Sequence, residues 1–318
     1  METKQLSSIP ETMLITLWAK ATETEESNGL LHDEIARQII SNIDYDFTKF
    51  KHGKLSQIGC CIRANLIDEE ARNFLNKHPD AIVIQLGAGL DARYQRMGCP
   101  QVTQWFDLDL EEVINIRAHF MPETEKNSYL KMSMFDSQWI EKVKAYHKPV
   151  LIIIEGVLMY FKPEQVKNFF QMVCEQLGEA TVLFDMLAFF ALKHSKQHET
   201  VKKINGNVQF LWSELNTKAM ETWHDKLHVA HEYYMSDYDQ GRIPLVLRLL
   251  YKLPFFYKRF NQRKHGSQII IRQRHHRIEF GTHLEQLIKV GILLIENLIG
   301  IFAADDDNLQ LCRNRFGL

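Results

Sequence analysis

Ala81-Ile82-Val83-Ile84-Gln85-Leu86-Gly87-Ala88-Gly89-Leu90-Asp91 is a short, largely β-branched run that ends on two glycines one residue apart. A run of this length without polar alternation suits a strand buried on both faces, and the glycines suit a turn from that strand into a helix. Glycine there lets backbone approach a ligand that any Cβ would block. Outward from this stretch, Val102–Phe106, Val150–Ile154 and Thr181–Phe184 are similar runs, each followed by enough chain for a helix. That alternation predicts a mostly parallel sheet with helices on both faces. Leu110–Phe120 reads as one of the helices and Lys162–Leu177 as another, with Pro163 in its first turn and Gly178 as its stop. Upstream, residues 12 to 78 repeat apolar side chains at three- and four-residue steps, as in Met13-Leu14-Leu17-Trp18 and Leu66-Ala71-Phe74-Leu75, which predicts helices. Past residue 205 the alternation weakens, and His228–Met235 and Gln268–Ile271 are the remaining strand candidates.

Composition excludes several classes. With 38 Lys and Arg against 40 Asp and Glu, the net charge of -2 gives no overall field toward nucleic acid or an acidic membrane. The five cysteines form no CxxC pair, so a reducing, cytoplasmic setting is expected rather than a disulfide scaffold. The amino-terminal residues lack a charged segment leading into an apolar core, and the longest apolar runs, such as Val150–Ile154, are far too short to span a bilayer. No metal site is expected: His275 and His276 are adjacent rather than at ligand spacing, and HExxH is absent. Nothing resembles a Gly-x-Ser-x-Gly turn or a phosphate-binding loop with its lysine. Between Asp239 and Glu279 no acidic residue occurs while ten Arg and Lys do. Without an RNA-binding motif beside it, that stretch reads as a solvated basic face.

Asp107 and Asp109 lie 20 and 22 residues after Gly87, at the end of the next apolar run. A carboxylate there can accept both hydrogen bonds of an adenosine ribose. Taken alone, turn and carboxylate fit a nicotinamide or flavin enzyme as well as a methyl-transfer enzyme.

Six segments in order narrow this: Thr16-Leu17-Trp18-Ala19-Lys20-Ala21, Ile43-Asp44-Tyr45-Asp46-Phe47, Gln85 through Arg93, Trp105-Phe106-Asp107-Leu108-Asp109, Ser133-Met134-Phe135-Asp136-Ser137-Gln138-Trp139 and Glu155-Gly156-Val157-Leu158-Met159-Tyr160. With them the chain resembles the leucine carboxyl methyltransferase family, in its bacterial branch of tetracenomycin-type polyketide O-methyltransferases. The resemblance implies a class I methyltransferase fold: a Rossmann-like, seven-stranded, mostly parallel α/β sheet. It also implies an N-terminal helical segment over the cofactor and inserted helices between the fifth and sixth strands that form the acceptor pocket. The cofactor would be S-adenosylmethionine, and the acceptor a carboxylate or hydroxyl of a small, polyketide-like molecule.

The same resemblance implies roles. Lys20 and Arg63 would reach the methionine carboxylate, where a buried anion needs charged donors. Gly87 and Gly89 would supply close backbone contact. Asp109 would hold the ribose in preference to Asp107, the strand end being uncertain by about two residues. Ser133 and Met134 would lie at the adenine end, although distant relatives carry Asp-Leu there. Glu155 would sit beside the methionine portion and Tyr160 close to the methyl group. Two alternatives stay open: a nicotinamide-dependent oxidoreductase on a similar core, and a non-catalytic cofactor-binding interaction protein.

The expected organisation is one methyltransferase domain over 1–275, with a helical segment to 78, a cofactor-binding core over 79–186 and an acceptor-side insertion with the last strands over 187–275. Residues 276–318 form an extension in which Ile288–Phe302 is very apolar and Asp305-Asp306-Asp307 closes it. An amphipathic helix for contact with the body, another subunit or a membrane surface and an unordered tail are equally compatible with it.

Overall fold

β1 (Ile82–Leu86) and β4 (Val150–Ile154) are buried at every position. They lie side by side, parallel, in the middle of the sheet. The computed structural model describes residues 8–186 and 209–254, apart from 215, 239 and 244, and the backbone of 265–271. Within them the order is β3-β2-β1-β4-β5-β7-β6. The strands β2 (Gln104–Asp109), β3 (Asn127–Lys131) and β5 (Ala180–Met186) join β1 and β4 in one parallel array, while β7 (His265–Ile271) runs antiparallel between β5 and β6 (Leu227–Tyr233). This is the mostly parallel, seven-stranded arrangement expected.

Alternate residues of the central strands feed two apolar layers, which is why they read as continuous runs. Ile82, Ile84, Ile152 and Ile154 pack with Trp139 of α6 (Gln138–Lys144) and with Val166 and Phe170 of α7 (Pro163–Gln176). Val83, Leu151 and Ile153 point the other way, onto Ile67, Ala71 and Leu75 of α3 (Lys54–Lys77).

The amino-terminal segment lies over the strand ends. Leu14, Leu17 and Ala21 of α1 (Ser8–Glu25) pack with Ala36 and Ile39 of α2 (Glu34–Asn42) and with Leu90 and Ala92 beyond β1. Ile15, Trp18 and Ala19 meet Phe50, Cys61 and Met159 beyond β4. The first turn after β1 continues into α4 (Arg93–Arg96), and α5 (Glu111–Phe120) follows β2.

Several boundaries move and one strand is new: β5 is longer than Thr181–Phe184 at both ends, β6 stops at Tyr233 rather than Met235, and β7 starts at His265 rather than Gln268. β2 runs Gln104–Asp109 rather than Val102–Phe106, starting two residues later and ending three later, because its pairing with β1 runs from Gln104 to Leu108 and overrides the local apolar run. β3 is an edge strand of sequence Asn-Ser-Tyr-Leu-Lys, half exposed, with no apolar run to announce it. Of the segment between β5 and β6, where the inserted helices are expected, residues 187–208 and 215 lie outside the described residues, and the rest carries one 3-10 helix, Thr217–Trp223. The extension 276–318 also lies outside them. Among the described residues no helix is long and apolar enough to cross a membrane and no His, Cys, Asp or Glu cluster is suited to a metal. Arg242, counted in the basic stretch, turns inward: it pairs at 3.0 Å with Glu23, which is fully buried.

Candidate cofactor and methyl-transfer site

In an open α/β sheet a ligand crevice forms where the strand order reverses, outside the carboxyl ends of the strands. Here the reversal falls between β1 and β4. Gly87 and Gly89 follow β1, Asp109 ends β2, Glu155 and Gly156 follow β4, and Asp185 lies near the end of β5.

The glycine turn is fixed on two sides. Gly87 and Ala88 donate their backbone N–H groups to the carbonyl of Leu108 at 2.8 and 3.1 Å. Both glycines have positive φ, +67° and +52°, and a Cβ on Gly87 would stand 2.4 Å from Val157 Cγ2. From beneath, Arg117 donates to the carbonyls of Gly89 at 3.1 Å and Asp91 at 2.8 Å.

The two candidate aspartates part company. Asp107 is fully buried and accepts from Arg117 at 2.7 Å, Asn127 at 2.9 Å and Trp105 Nε1 at 3.0 Å. Its role is to neutralise the arginine that carries the glycine turn. Asp109, at the strand end, accepts from the N–H of Gly89 at 2.8 Å and of Leu110 at 2.7 Å. Burial raises its pKa and those two backbone donors pull against the shift.

Lys20 is 3% exposed and donates to Asp91 at 2.6 Å. Arg63 reaches across from α3 to the strand ends, with Nε 3.2 Å from Glu155 and Nη1 2.9 Å from Asp185. Glu155 also receives a very short hydrogen bond from Arg93, whose Nε is 2.6 Å from Asp68. Arg96 joins Asp33, Asp68 and Asp91 at 2.7 to 2.8 Å. Burial alone would raise the Glu155 carboxyl, but Lys20, Arg93 and Arg63 outweigh it and hold it at about 2. Asp91 is likewise held well below the usual carboxylate range by Arg96, Lys20 and Arg93 against the effect of burial.

Ser133 lies two residues past β3, exposed, its Oγ accepting from Phe135 N–H at 3.2 Å. Met134 packs in the main core and its carbonyl accepts from Trp139 Nε1 at 2.9 Å, so the two neighbours face different surroundings. Tyr160 closes the turn after β4, its ring 5.7 Å from that of Phe210. Burial pushes its phenol pKa up and a hydrogen bond to Thr12 of α1 opposes that. The chain at Leu211 returns alongside, donating to Met159 at 2.7 Å.

Arg93, Arg96, Asp91, Asp185, Asp68 and Arg117 were given no role by the sequence reading. The available signal was the density of charge in Asp91-Ala92-Arg93 and Arg96, in turns that an apolar core surrounds, and an Asp at the end of an apolar strand at 185.

A family model for leucine carboxyl methyltransferase matches residues 13–174. The tetracenomycin polyketide synthesis O-methyltransferase TcmP of Streptomyces glaucescens is 29% identical over 74% of this chain and 86% of its own length. The S-adenosyl-L-methionine-dependent methyltransferase dpfgK of Gibberella zeae is 24% identical over 72% of this chain and 85% of its own. Among solved structures, the plantazolicin methyltransferase BpumL with SAH aligns at a TM-score of 0.42 and 11% identity, over 83% of this chain and 98% of that one. The nicotinamide alternative falls away with the first of these matches: spanning more than half of the sequence, from α1 through α7, it shows that the chain belongs to the leucine carboxyl methyltransferase family and is an S-adenosylmethionine-dependent methyltransferase.

Proposed function

We propose that this enzyme transfers the methyl group to an oxygen, the carboxylate or hydroxyl of a small polyketide-like molecule. The carrying observation is the juxtaposition at the β1/β4 crevice of a positive-φ glycine turn, a strand-end carboxylate at Asp109 and two cations, the buried Lys20 and the partly buried Arg63. That donor set fits the cofactor. A ribose needs a carboxylate acceptor, the methionine carboxylate needs cations, and the sulfonium is favoured by nearby negative charge. Lys20 directs one hydrogen bond at Asp91, so an ammonium with three donors keeps capacity for a second carboxylate.

In this reading Gly87 and Gly89 admit the cofactor backbone to backbone and Asp109 holds the ribose. Ser133, with the backbone at Met134, meets the adenine, and Glu155 lies by the methionine portion. Bound S-adenosylmethionine supplies an activated methyl group, so the chain's own residues mainly align the acceptor and exclude water. Tyr160, kept as a neutral phenol by burial, offers shape and a hydrogen bond rather than a base. A carboxylate acceptor is already ionised at neutral pH and needs no base, whereas a hydroxyl gains from one. The name of the Streptomyces relative supports oxygen as the methylated atom and a polyketide as the acceptor class.

Incubation with methyl-labelled cofactor and a panel of aromatic acids, phenols and amines tests this. Label recovered in an ester, released by mild base, identifies a carboxyl acceptor; label in a base-stable ether identifies a hydroxyl. Transfer confined to amines would overturn the proposal. Calorimetry with S-adenosylhomocysteine should show Asp109→Ala weakening binding, and an unchanged affinity would remove the ribose contact from Asp109.

A further inference from the structure

We infer that Asp185 is a positioning residue for the amino-acid end of the cofactor, because it fixes Arg63 and the Glu155-Gly156 turn with a single carboxylate. The inference rests on the reading that Arg63 faces the methionine carboxylate. Asp185 is the next-to-last residue of β5 and only 3% exposed. Its oxygens are divided between two elements: Oδ1 accepts from the N–H of Gly156 at 2.6 Å and Oδ2 from Arg63 Nη1 at 2.9 Å.

The parts interlock. β5 pairs with β4 in a register that sets Phe184 beside Ile154, so Asp185 falls next to the first residues of the turn. Gly156 has a φ of +71°, and a Cβ there would lie 3.3 Å from Arg63 Nη2. The turn therefore holds a conformation that favours glycine, and the missing side chain is the space the guanidinium fills. With Nε on Glu155 and Nη1 on Asp185, the plane of the guanidinium is set and Nη2 is the remaining nitrogen. A planar donor held at two of its nitrogens presents the third in one direction, which is what recognition of a carboxylate requires.

Burial and the neighbouring Glu155 charge work against ionisation of Asp185, and Arg63 and backbone donors oppose them. An apolar residue would fill the strand end at lower cost in desolvation, so the carboxylate is better explained by the geometry it imposes than by stability.

The test compares two ligands by calorimetry: S-adenosylhomocysteine, and 5′-methylthioadenosine, which keeps the adenosine and sulfur but lacks the amino-acid end. Asp185→Asn should weaken S-adenosylhomocysteine about tenfold, the scale of one disturbed charged hydrogen bond, and 5′-methylthioadenosine less than about twofold. A residue that merely supports the fold would move both ligands together, so an equal loss, or no loss, overturns the inference. Arg63→Ala separates the two layers of the argument. If it is selective for S-adenosylhomocysteine while Asp185→Asn is not, the role of Asp185 fails and the site reading stands. If Arg63→Ala weakens both ligands equally, the site reading fails and takes the inference with it. Should Asp185→Asn give too little folded protein, Asp185→Glu, which shifts the charge by one methylene, carries the same selective expectation and the same overturning result.

Discussion

Two clusters of buried charge sit on the same sheet a few residues apart. Asp107, Arg117, Asn127 and Trp105 form a closed set: the carboxylate has three donors, and both partners of the ion pair are inaccessible. Lys20, Asp91, Arg93, Glu155, Arg63 and Asp185 form an open one, drawn from α1, α3 and the ends of β1, β4 and β5. Both are ionic; the first is fully buried and the second partly so. The difference lies in whether the remaining donors can be reached: Arg117 Nε has no hydrogen-bond partner, but it is sealed inside the fold. In the first set the charges answer one another inside the fold. In the second, a lysine with spare donors and an arginine with a free edge border the crevice. Burial of charge marks where the fold is committed; leftover donors that border the crevice mark where a ligand can enter.

The largest effect should come from breaking the closed set. Asp107→Ala leaves Arg117 fully buried without its counter-ion, and a loss of about 3–5 kcal/mol in unfolding free energy is expected from denaturant titration. A loss below about 1 kcal/mol would mean that water or another group reaches Arg117 and that the set is not closed. Next, Gly87→Ala forces a positive-φ backbone and a contact with Val157. The backbone part alone is worth about 1–2 kcal/mol. Adding Val157→Ala should recover the contact part and leave the backbone part, read from a double-mutant cycle of melting curves.

A third effect is a matter of pH. Glu155 is held down at about 2 from an ordinary 4.5, so its folded-state pKa lies below its unfolded value. Its contribution to stability is therefore complete above about 4.5 and is lost as pH falls toward 2. The melting-temperature gap between the parent and Glu155→Gln should be widest near neutral pH and shrink through that window. Taking the difference cancels Asp109, whose raised pKa acts with the opposite sign; Asp185, which shares Arg63 with Glu155 and is pushed up by its charge, contributes to the gap. A gap that stays constant to pH 2 would place the stabilisation elsewhere. The smallest effect calibrates the rest: Glu34 and Arg37 pair at 2.6 Å on the exposed face of α2, and Glu34→Gln should leave the melting temperature unchanged within error.

The sheet was legible where burial is uniform. β1 and β4 are buried on both faces and apolar apart from Gln85, and the local pattern carries the whole message. β3 was not legible, because a half-buried edge strand of polar residues owes its existence to pairing with β2. At the site, the glycines and Asp109 could be read, since turn chemistry and strand ends are local. The partners of Arg63 could not: Glu155 and Asp185 lie 92 and 122 residues away, a pairing that leaves no mark on neighbouring sequence. Asp107 and Asp109 show the same limit at short range. Only the register of β2 on β1 decides which of them is enclosed.

The place of β7 has a consequence for how the protein is made. β6 pairs only with β7 among the described residues, and β7 also covers the edge of β5. A ribosome that has released the chain as far as β6 has thus delivered a strand whose neighbour does not yet exist, and the flank of β5 stays open until residues 265–271 emerge. Synthesis, not local propensity, sets the moment at which this half of the sheet can close. Until then the nascent chain offers an unprotected strand edge of the kind that invites mispairing and draws chaperones.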